Sequence, residues 1–326
     1  MSTEGPVMVS QQVSRSVGFH EGELEVQKRS GVAAQAARLS GMLARGELRG
    51  GFAHFLADRT FAVLTARDAD GRIWTSPLSG RPGFLEPTSP TTLTVHAVPG
   101  LGDPLHELAA GQPVGLVAIE FATRGRVRVN GTLSAATRQG FRVDVEQAYG
   151  NCPQYIQQRL LTPDRPVEGR PMVRRSERLD PEEIALIRGA DTFFIGTAHP
   201  TRGADASHRG GPSGFVRVHD GELWWPDYTG NNMFNTLGNL AVDPSAAVLF
   251  PDFTSGRTVQ LSGTAKVEWT APGTAGDDDA TGRLVRFTPG RIIAGRLLGA
   301  HAEATAPYDD NPPLSDGPDR PATPHI

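Results

Sequence analysis

The chain has 326 residues, including 38 Gly and 26 Pro, with 38% hydrophobic and 21% charged residues and a formal net charge of −4. One hydrophobic core rarely grows beyond roughly 250–300 residues, so two domains are expected, and the turn-former content favours many short strands over a helical bundle. The charge leaves no basic footprint for nucleic acid, no run reaches the roughly 18 apolar residues of a membrane span, and a lone cysteine, Cys152, excludes an internal disulfide framework and a multi-thiolate metal site.

The N-terminus MSTEGPVMVSQQ has no basic stretch followed by an apolar core, so no signal peptide is read there and a cytoplasmic protein is expected. Residues 1–20 show no period and are expected to be loosely ordered. Val32, Ala36, Leu39 and Leu43 keep helical spacing, which predicts an amphipathic helix over roughly 31–46. The arm and helix occupy 1–50, a first unit 51–170, a second unit 171–300, and a Pro-rich tail 301–326, extended or disordered.

The two units are read as copies of one another. Ala57-Asp58-Arg59-Thr60-Phe61 resembles Ala190-Asp191-Thr192-Phe193-Phe194. Ser76, Gly80, Gly83 and Phe84 match Ser207, Gly211, Gly214 and Phe215, and Phe121, Val127, Gly131 and Thr132 match Phe253, Val259, Gly263 and Thr264. The blocks keep their order with nearly constant separation, the signature of an internal repeat. Each unit opens with a short helix: Gly51–Ala57 in the first, and one started by Asp180-Pro181-Glu182-Glu183 in the second, where cap, proline and carboxylate stand in register. Strands follow at Phe61–Thr65 and Phe193–Thr197. A helix should interrupt each set, capped by Asn231 in the second unit and running from Asp103-Pro104 to Gly111 in the first. Long strands near Thr258–Glu268 and Leu284–Phe287 close the second unit. Short antiparallel strands with an inserted helix predict a mainly β fold of small barrels.

No Gly-Lys-Ser/Thr phosphate loop occurs, and no Gly-x-Gly-x-x-Gly follows a strand. The nine histidines lack ligand spacing, so no metal is expected. Asp205, Ser207 and His208 lie close enough in sequence for local turn bonds rather than nucleophilic catalysis. Cys152 reads as a buried small side chain. The region Ser207 to Asn239 is the richest. His208 and Arg209 precede a glycine-rich turn, Asp220-Gly221 marks a hairpin, Trp224 and Trp225 take opposite faces, and Asn231 and Asn232 lead into a helix whose free N–H groups suit an anion. A capped helix beside a glycine-rich hairpin explains the same residues without a ligand.

These segments resemble the pyridoxamine 5′-phosphate oxidase-like FMN-binding split-barrel family, in its tandem-barrel branch. The carriers are ADTFFIGTAHPTRGADASHRGGPSGFVRV, WPDYTGNNMFNTLGNLAVDPSAAVLFPDF and VQLSGTAKVEW, with DGRIWTSPLSGRPGFL, RVRVNGT and YGNCPQYIQQR in the first unit. The resemblance implies two tandem six-stranded split barrels with FMN in the cleft between them. Carried over, the cofactor-binding positions are Ser207, His208, Arg209, Phe215, Val216, Arg217, Trp225, Asn231, Asn232, Asn235, Thr258 and Gln260. Arg126, Arg128 and Asn130 alternate along one strand and so share a face, which lines the cleft or faces solvent. The helix start Asn-Asn-Met-Phe-Asn is neutral where the oxidase proper is basic.

The resemblance implies an FMN-dependent oxidoreductase acting on a small organic substrate, with O2 or a nicotinamide as partner, in a family that commonly forms homodimers. The alternatives are a haem-binding or haem-degrading barrel, with His199, His208 or His219 as axial ligand, a deazaflavin site, and a flavin-binding protein without catalysis. No residue identifies itself as a catalytic acid or base.

Overall fold

The computed structural model describes residues 18–43, 46–164 and 171–315. The chain begins with α1 (Glu21–Arg29), closed by a capping box between His20 and Glu23 and carrying acids in its first turn and bases in its last. The sequence reading assigned no element here. The helix expected over 31–46 is instead α2 (Ala33–Ala37) followed by a 3-10 turn at Ser40–Leu43, since Ser40 and Gly41 weaken a continuous helix, and residues 44–45 lie outside the described set. The arm expected over residues 1–17 also lies outside it.

The first unit contains α3 (Gly51–Ala57), β1 (Phe61–Arg67), β2 (Ile73–Ser79), β3 (Leu85–Ser89), β4 (Thr92–Val95), β5 (Pro113–Glu120), β6 (Gly125–Ala136) and β7 (Phe141–Gly150). Then come β8 (Gln158–Pro163) and β9 (Val173–Ser176). The second unit contains α4 (Pro181–Gly189), β10 (Thr192–His199), β11 (Gly203–Gly210), β12 (Arg217–His219), β13 (Glu222–Pro226), α5 (Asn235–Val242), β14 (Ser245–Pro251), β15 (Thr258–Trp269) and β16 (Arg283–Gly295). β17 (Ala300–Ala306) ends the series. The fold is mainly β, and its ladders are antiparallel throughout the described residues.

The two sheets run β2-β1-β5-β6-β7-β4-β3 and β11-β10-β14-β15-β16-β13-β12, the same order in each unit. Each path holds seven strands where six were expected, and its far edge is a hairpin, β3–β4 in the first unit and β12–β13 in the second. In the second unit that hairpin turns at Asp220-Gly221, both with positive φ, as a two-residue turn requires. Leu64, Trp74, Leu85, Leu93, Leu116, Val129 and Val143, one from each strand of the first sheet, share one core, so that sheet curls around its own interior. Ile195, Val218, Trp225, Val248, Leu261 and Phe287 do the same in the second.

A third apolar cluster joins the barrels back to back. Val63, Val117 and Phe121 meet Phe194, Leu249 and Phe253, and each trio sits at matching positions of its unit. Gly115 permits this approach: a Cβ there would stand 2.6 Å from the Asp205 Cα of β11.

Three further expectations are corrected. Asp103-Pro104 starts no helix, because the Asp103 carboxylate is buried and bonded to the side chains of Ser76 and Gln260 and to the Leu105 N–H. Asn231 does not cap α5; its side chain closes a local turn onto the Met233 N–H, and Phe234, in the left-handed region, precedes the helix. The tail begins as a strand, with β17 paired to β8 across the junction of the units. No helix among the described residues is long and apolar enough to cross a membrane.

Candidate functional site

A cavity of about 90 Å³ opens between the barrels, lined by Arg126, Arg128, Cys152, Tyr155, His208 and Arg209 and by the chain from Pro226 to Leu237. Strand β6 delivers the first wall. Val127 and Val129 enter the first barrel's core, which turns Arg126, Arg128 and Asn130 toward the second barrel. The sequence left cleft and solvent open for this face, and the structure places it in the cleft.

Arg128 is neutralised. Its Nη1 donates to both Asp205 oxygens at 3.2 and 2.9 Å, and its Nη2 to the Ser207 hydroxyl at 2.6 Å. Asn130 and Tyr149 also donate to Asp205. Burial opposes the charge on Arg128, but Asp205 and Tyr149 outweigh it and raise its pKa. Asp205 and Ser207 therefore bond across the barrel interface, not into the local turn that their sequence spacing suggested.

Arg126 and Arg209 are held differently. Arg126 Nη1 donates to His208 Nδ1 at 2.8 Å, and its Nη2 lies 3.8 Å from the Cys152 sulfur. Arg209 Nη1 donates to the Ser207 hydroxyl and the His208 carbonyl. A guanidinium only donates, so His208 Nδ1 is the bare nitrogen and Nε2 carries the proton. Burial and the surrounding arginines push the His208 pKa well below its ordinary value, and the imidazole stays neutral. Both arginines are thus oriented by neutral acceptors, and the largest favourable charge acting on Arg209 is the Asp227 carboxylate, through space. Burial, reinforced by the neighbouring guanidiniums, presses Arg126 down to about 10 and also lowers Arg209. Of these three guanidiniums only Arg128, the fully buried one, is bonded to a carboxylate; Arg126 and Arg209 are half-buried. Arg126 Nε and His208 Nε2 have no partner, a cost that native interiors rarely leave unmet.

The other wall is aromatic and loop-built. Tyr155 packs against Tyr228 with ring centroids 5.0 Å apart, and the Tyr155 hydroxyl donates to the Thr229 carbonyl. Burial raises both phenols, which stay protonated. Asp227 pairs with Arg283, and Asp279 accepts the Thr229 N–H, so the 227–229 segment is fixed from behind. Asn235 opens α5 and donates to the buried Glu23 of α1. Glu23, raised to about 7 by burial, borders a second polar cavity of about 20 Å³ behind Asp205, room for a water.

Of the sequence candidates, Arg126, Arg128, His208, Arg209, Phe215, Asn231, Asn232 and Asn235 line the main cavity, while Ser207 braces two of its arginines. Asn130 lines the smaller cavity. Val216 and Trp225 belong to the second core; Trp225 packs edge-on to Phe193 with centroids 4.9 Å apart, so its alternation points it inward. Trp224, on the opposite face of the strand, is also buried. Arg217 forms a two-pronged pair with Asp278 and lies over Trp224, away from the cleft. Thr258 and Gln260 stand on the opposite side of the interface, where Gln260 bonds Ser76 and Asp103. Cys152 is half-buried at the cavity rather than packed in a core.

Of the three candidate haem ligands, only His208 reaches the cleft, and its Nδ1 is taken by Arg126. His199 lies beside α1, near His20 and Glu21. That trio resembles a metal cluster, yet His20 Nδ1 accepts the Gly22 N–H and His199 Nδ1 the Thr201 N–H. Each proton therefore sits on Nε2, which makes those nitrogens donors rather than ligands. The sequence missed Asp205, Tyr149, Tyr155 and Tyr228 as cleft residues. All four lie in quoted segments, Tyr149 and Tyr155 in YGNCPQYIQQR, Asp205 before Ser207 and Tyr228 in WPDYTGNNM, and that was the available signal.

Residues 179–276 match the family model described as pyridoxamine 5′-phosphate oxidase, which bears out the resemblance in the second unit. No curated protein matches the chain. Solved structures similar to it include a putative pyridoxamine 5′-phosphate oxidase from Lactobacillus delbrueckii (16% identity, 36% of this chain and 94% of that one, TM-score 0.29). Another, from Clostridium acetobutylicum, is a protein related to general stress protein 26 (19% identity, 37% and 91%, TM-score 0.27). A third is an FAD binding protein from Mycobacterium smegmatis (15% identity, 38% and 98%, TM-score 0.25). Likeness at that level carries no argument about this chain.

Proposed function

We propose that this chain binds the phosphate of FMN in the cleft between its barrels and acts as an FMN-dependent oxidoreductase on a small organic substrate. The observation that carries the reading is the pair Arg126 and Arg209, half-buried in the cavity wall and hydrogen-bonded only to neutral acceptors. Such a pair is costly without an anion and well placed with one. The family match of residues 179–276 agrees with a flavin.

The residues present fit the group at its phosphate end: Arg126 and Arg209 would hold a doubly charged monoester, and Ser207 braces Arg128 and Arg209. The cavity, about 90 Å³ and partly open to solvent, would take a phosphate and part of its chain rather than a whole flavin. The ring system then belongs at the mouth, where Tyr155, Tyr228 and Phe234 offer aromatic surface. When bound, the flavin supplies the hydride or electron chemistry. The chain contributes binding, orientation and a neutral His208 that sustains the charge of Arg126. Both walls come from one chain, so no homodimer is needed to complete the cleft.

The test is to mix the purified full chain with FMN, separate free ligand, and follow the bound flavin's visible absorbance as candidate donors are added. Bound flavin that bleaches with a donor and recovers with O2 or an oxidised nicotinamide supports the enzyme. Bound flavin that never turns over supports a flavin-binding protein, and no retained flavin refutes both.

A further inference from the structure

The two barrels are related strand for strand, so the cleft has an equivalent position across the interface, a second cleft by topology. Ladder register fixes the correspondence. Leu64 pairs with Ser76 as Ile195 pairs with Ser207, and Val117 pairs with Arg128 as Leu249 pairs with Gln260. Arg126, Arg128 and Asn130 of β6 thus correspond to Thr258, Gln260 and Ser262 of β15. Asp205, Ser207, His208 and Arg209 of β11 correspond to Trp74, Ser76, Pro77 and Leu78 of β2.

One bond survives on both sides. Arg128 donates to Ser207 at 2.6 Å, and Gln260 donates to Ser76 at 3.1 Å. Everything else that makes the first cleft cationic is replaced by a neutral residue: Arg126 by Thr258, Arg128 by Gln260, His208 by Pro77 and Arg209 by Leu78. The second cleft also contains its own carboxylate. In the first unit a loop runs between β4 and β5 where α5 stands between β13 and β14, and it brings Asp103 inward. Asp103 accepts from Ser76 at 2.6 Å, from Gln260 at 2.9 Å and from the Leu105 N–H at 2.8 Å, and it is buried.

We infer that this second cleft is a closed counterpart of the first, in which Asp103 takes up the counterparts of Arg128 and Ser207 and no cation stands where Arg126 and Arg209 do, so that the chain holds one phosphate-bearing ligand and not two. The inference rests on the FMN reading above for the ligand, but the closure itself is independent of it. Burial raises Asp103 to about 6, as a carboxylate without a cationic partner requires. Its acceptors' donors are Ser76, Gln260 and a backbone N–H, and the one titratable group acting on it favourably is His106.

Two measurements on the full chain test this. Equilibrium dialysis against FMN should give one ligand per chain, and Arg126→Ala/Arg209→Ala should abolish it. Two per chain, or one retained in the double variant, overturns the inference while leaving flavin binding intact. No binding at all removes the FMN reading, and the second arm then decides. Wild-type and Asp103→Asn melting temperatures are compared from pH 4 to pH 8. A closed cleft predicts that the wild type loses stability relative to the variant as pH rises through about 6. A pH-independent difference means that Asp103 is hydrated in an open cleft, which overturns the inference.

Discussion

Asp205→Asn keeps the side chain's shape and deletes the one carboxylate bonded to the arginine cluster. In the wild type, Asp205 accepts from Arg128 through both oxygens, from Asn130 and from Tyr149, and it is 3% exposed. Arg128, with 8% side-chain exposure, has no other anionic partner among the described residues. Removing one member of a buried pair strands the other, at a cost of about 3–5 kcal/mol, far above the roughly 0–1 kcal/mol of a surface pair. A chain of this length loses about 2 °C per kcal/mol, so the melting temperature should fall by about 6–10 °C. Calorimetry at neutral pH, in buffer free of phosphate, measures it. Inorganic phosphate should restore more stability to the variant than to the wild type, because an anion then supplies the missing charge. A fall of less than about 2 °C would show that water already compensates the cluster, and would refute the account of a desolvated cationic cleft.

Arg126→Ala and Arg209→Ala should each weaken FMN binding by roughly ten- to a hundredfold, the worth of one charge-assisted bond, as read by fluorescence titration. Glu23, raised from 4.5 to about 7, contributes stability that is full below its unfolded value and lost as pH rises through about 7. Glu23→Gln should therefore flatten the wild type's decline between pH 5 and pH 8, a difference of up to about 3 kcal/mol by chemical denaturation. Gly238→Ala should strip α1 from α5, since the new Cβ would stand 2.5 Å from the Glu23 Cγ; faster proteolysis near residues 21–43 with the barrels intact is the expected result.

What was legible in the sequence was what strands declare locally. The alternation Arg126-Val-Arg-Val-Asn130 showed a two-faced strand, and repeated Ser, Gly and Phe positions showed the duplication, because both are properties of neighbouring residues or of constant offsets. The capping box at Asp180 was readable for the same reason. What the sequence hid depends on partners far along the chain. Asp205 looked like a local turn former, yet its ligands lie in the other barrel. Asp103 looked like a helix start, yet a buried bond to Gln260 pulls its loop inward. Trp225 and Arg217 sit on the expected strands, but the curl of the sheet directs one into the core and the other to Asp278. The α1 helix escaped notice because its polar sequence carries few apolar residues, and its docking relies on Gly22 meeting Gly238.

The most direct test of the cationic cleft is the ratio of affinities for FMN and riboflavin, which differ only in the phosphate. Two charge-assisted contacts predict FMN binding about a hundredfold tighter or more, and a ratio that collapses toward one in Arg126→Ala/Arg209→Ala. Equal affinities in the wild type would contradict the claim that these arginines hold a phosphate.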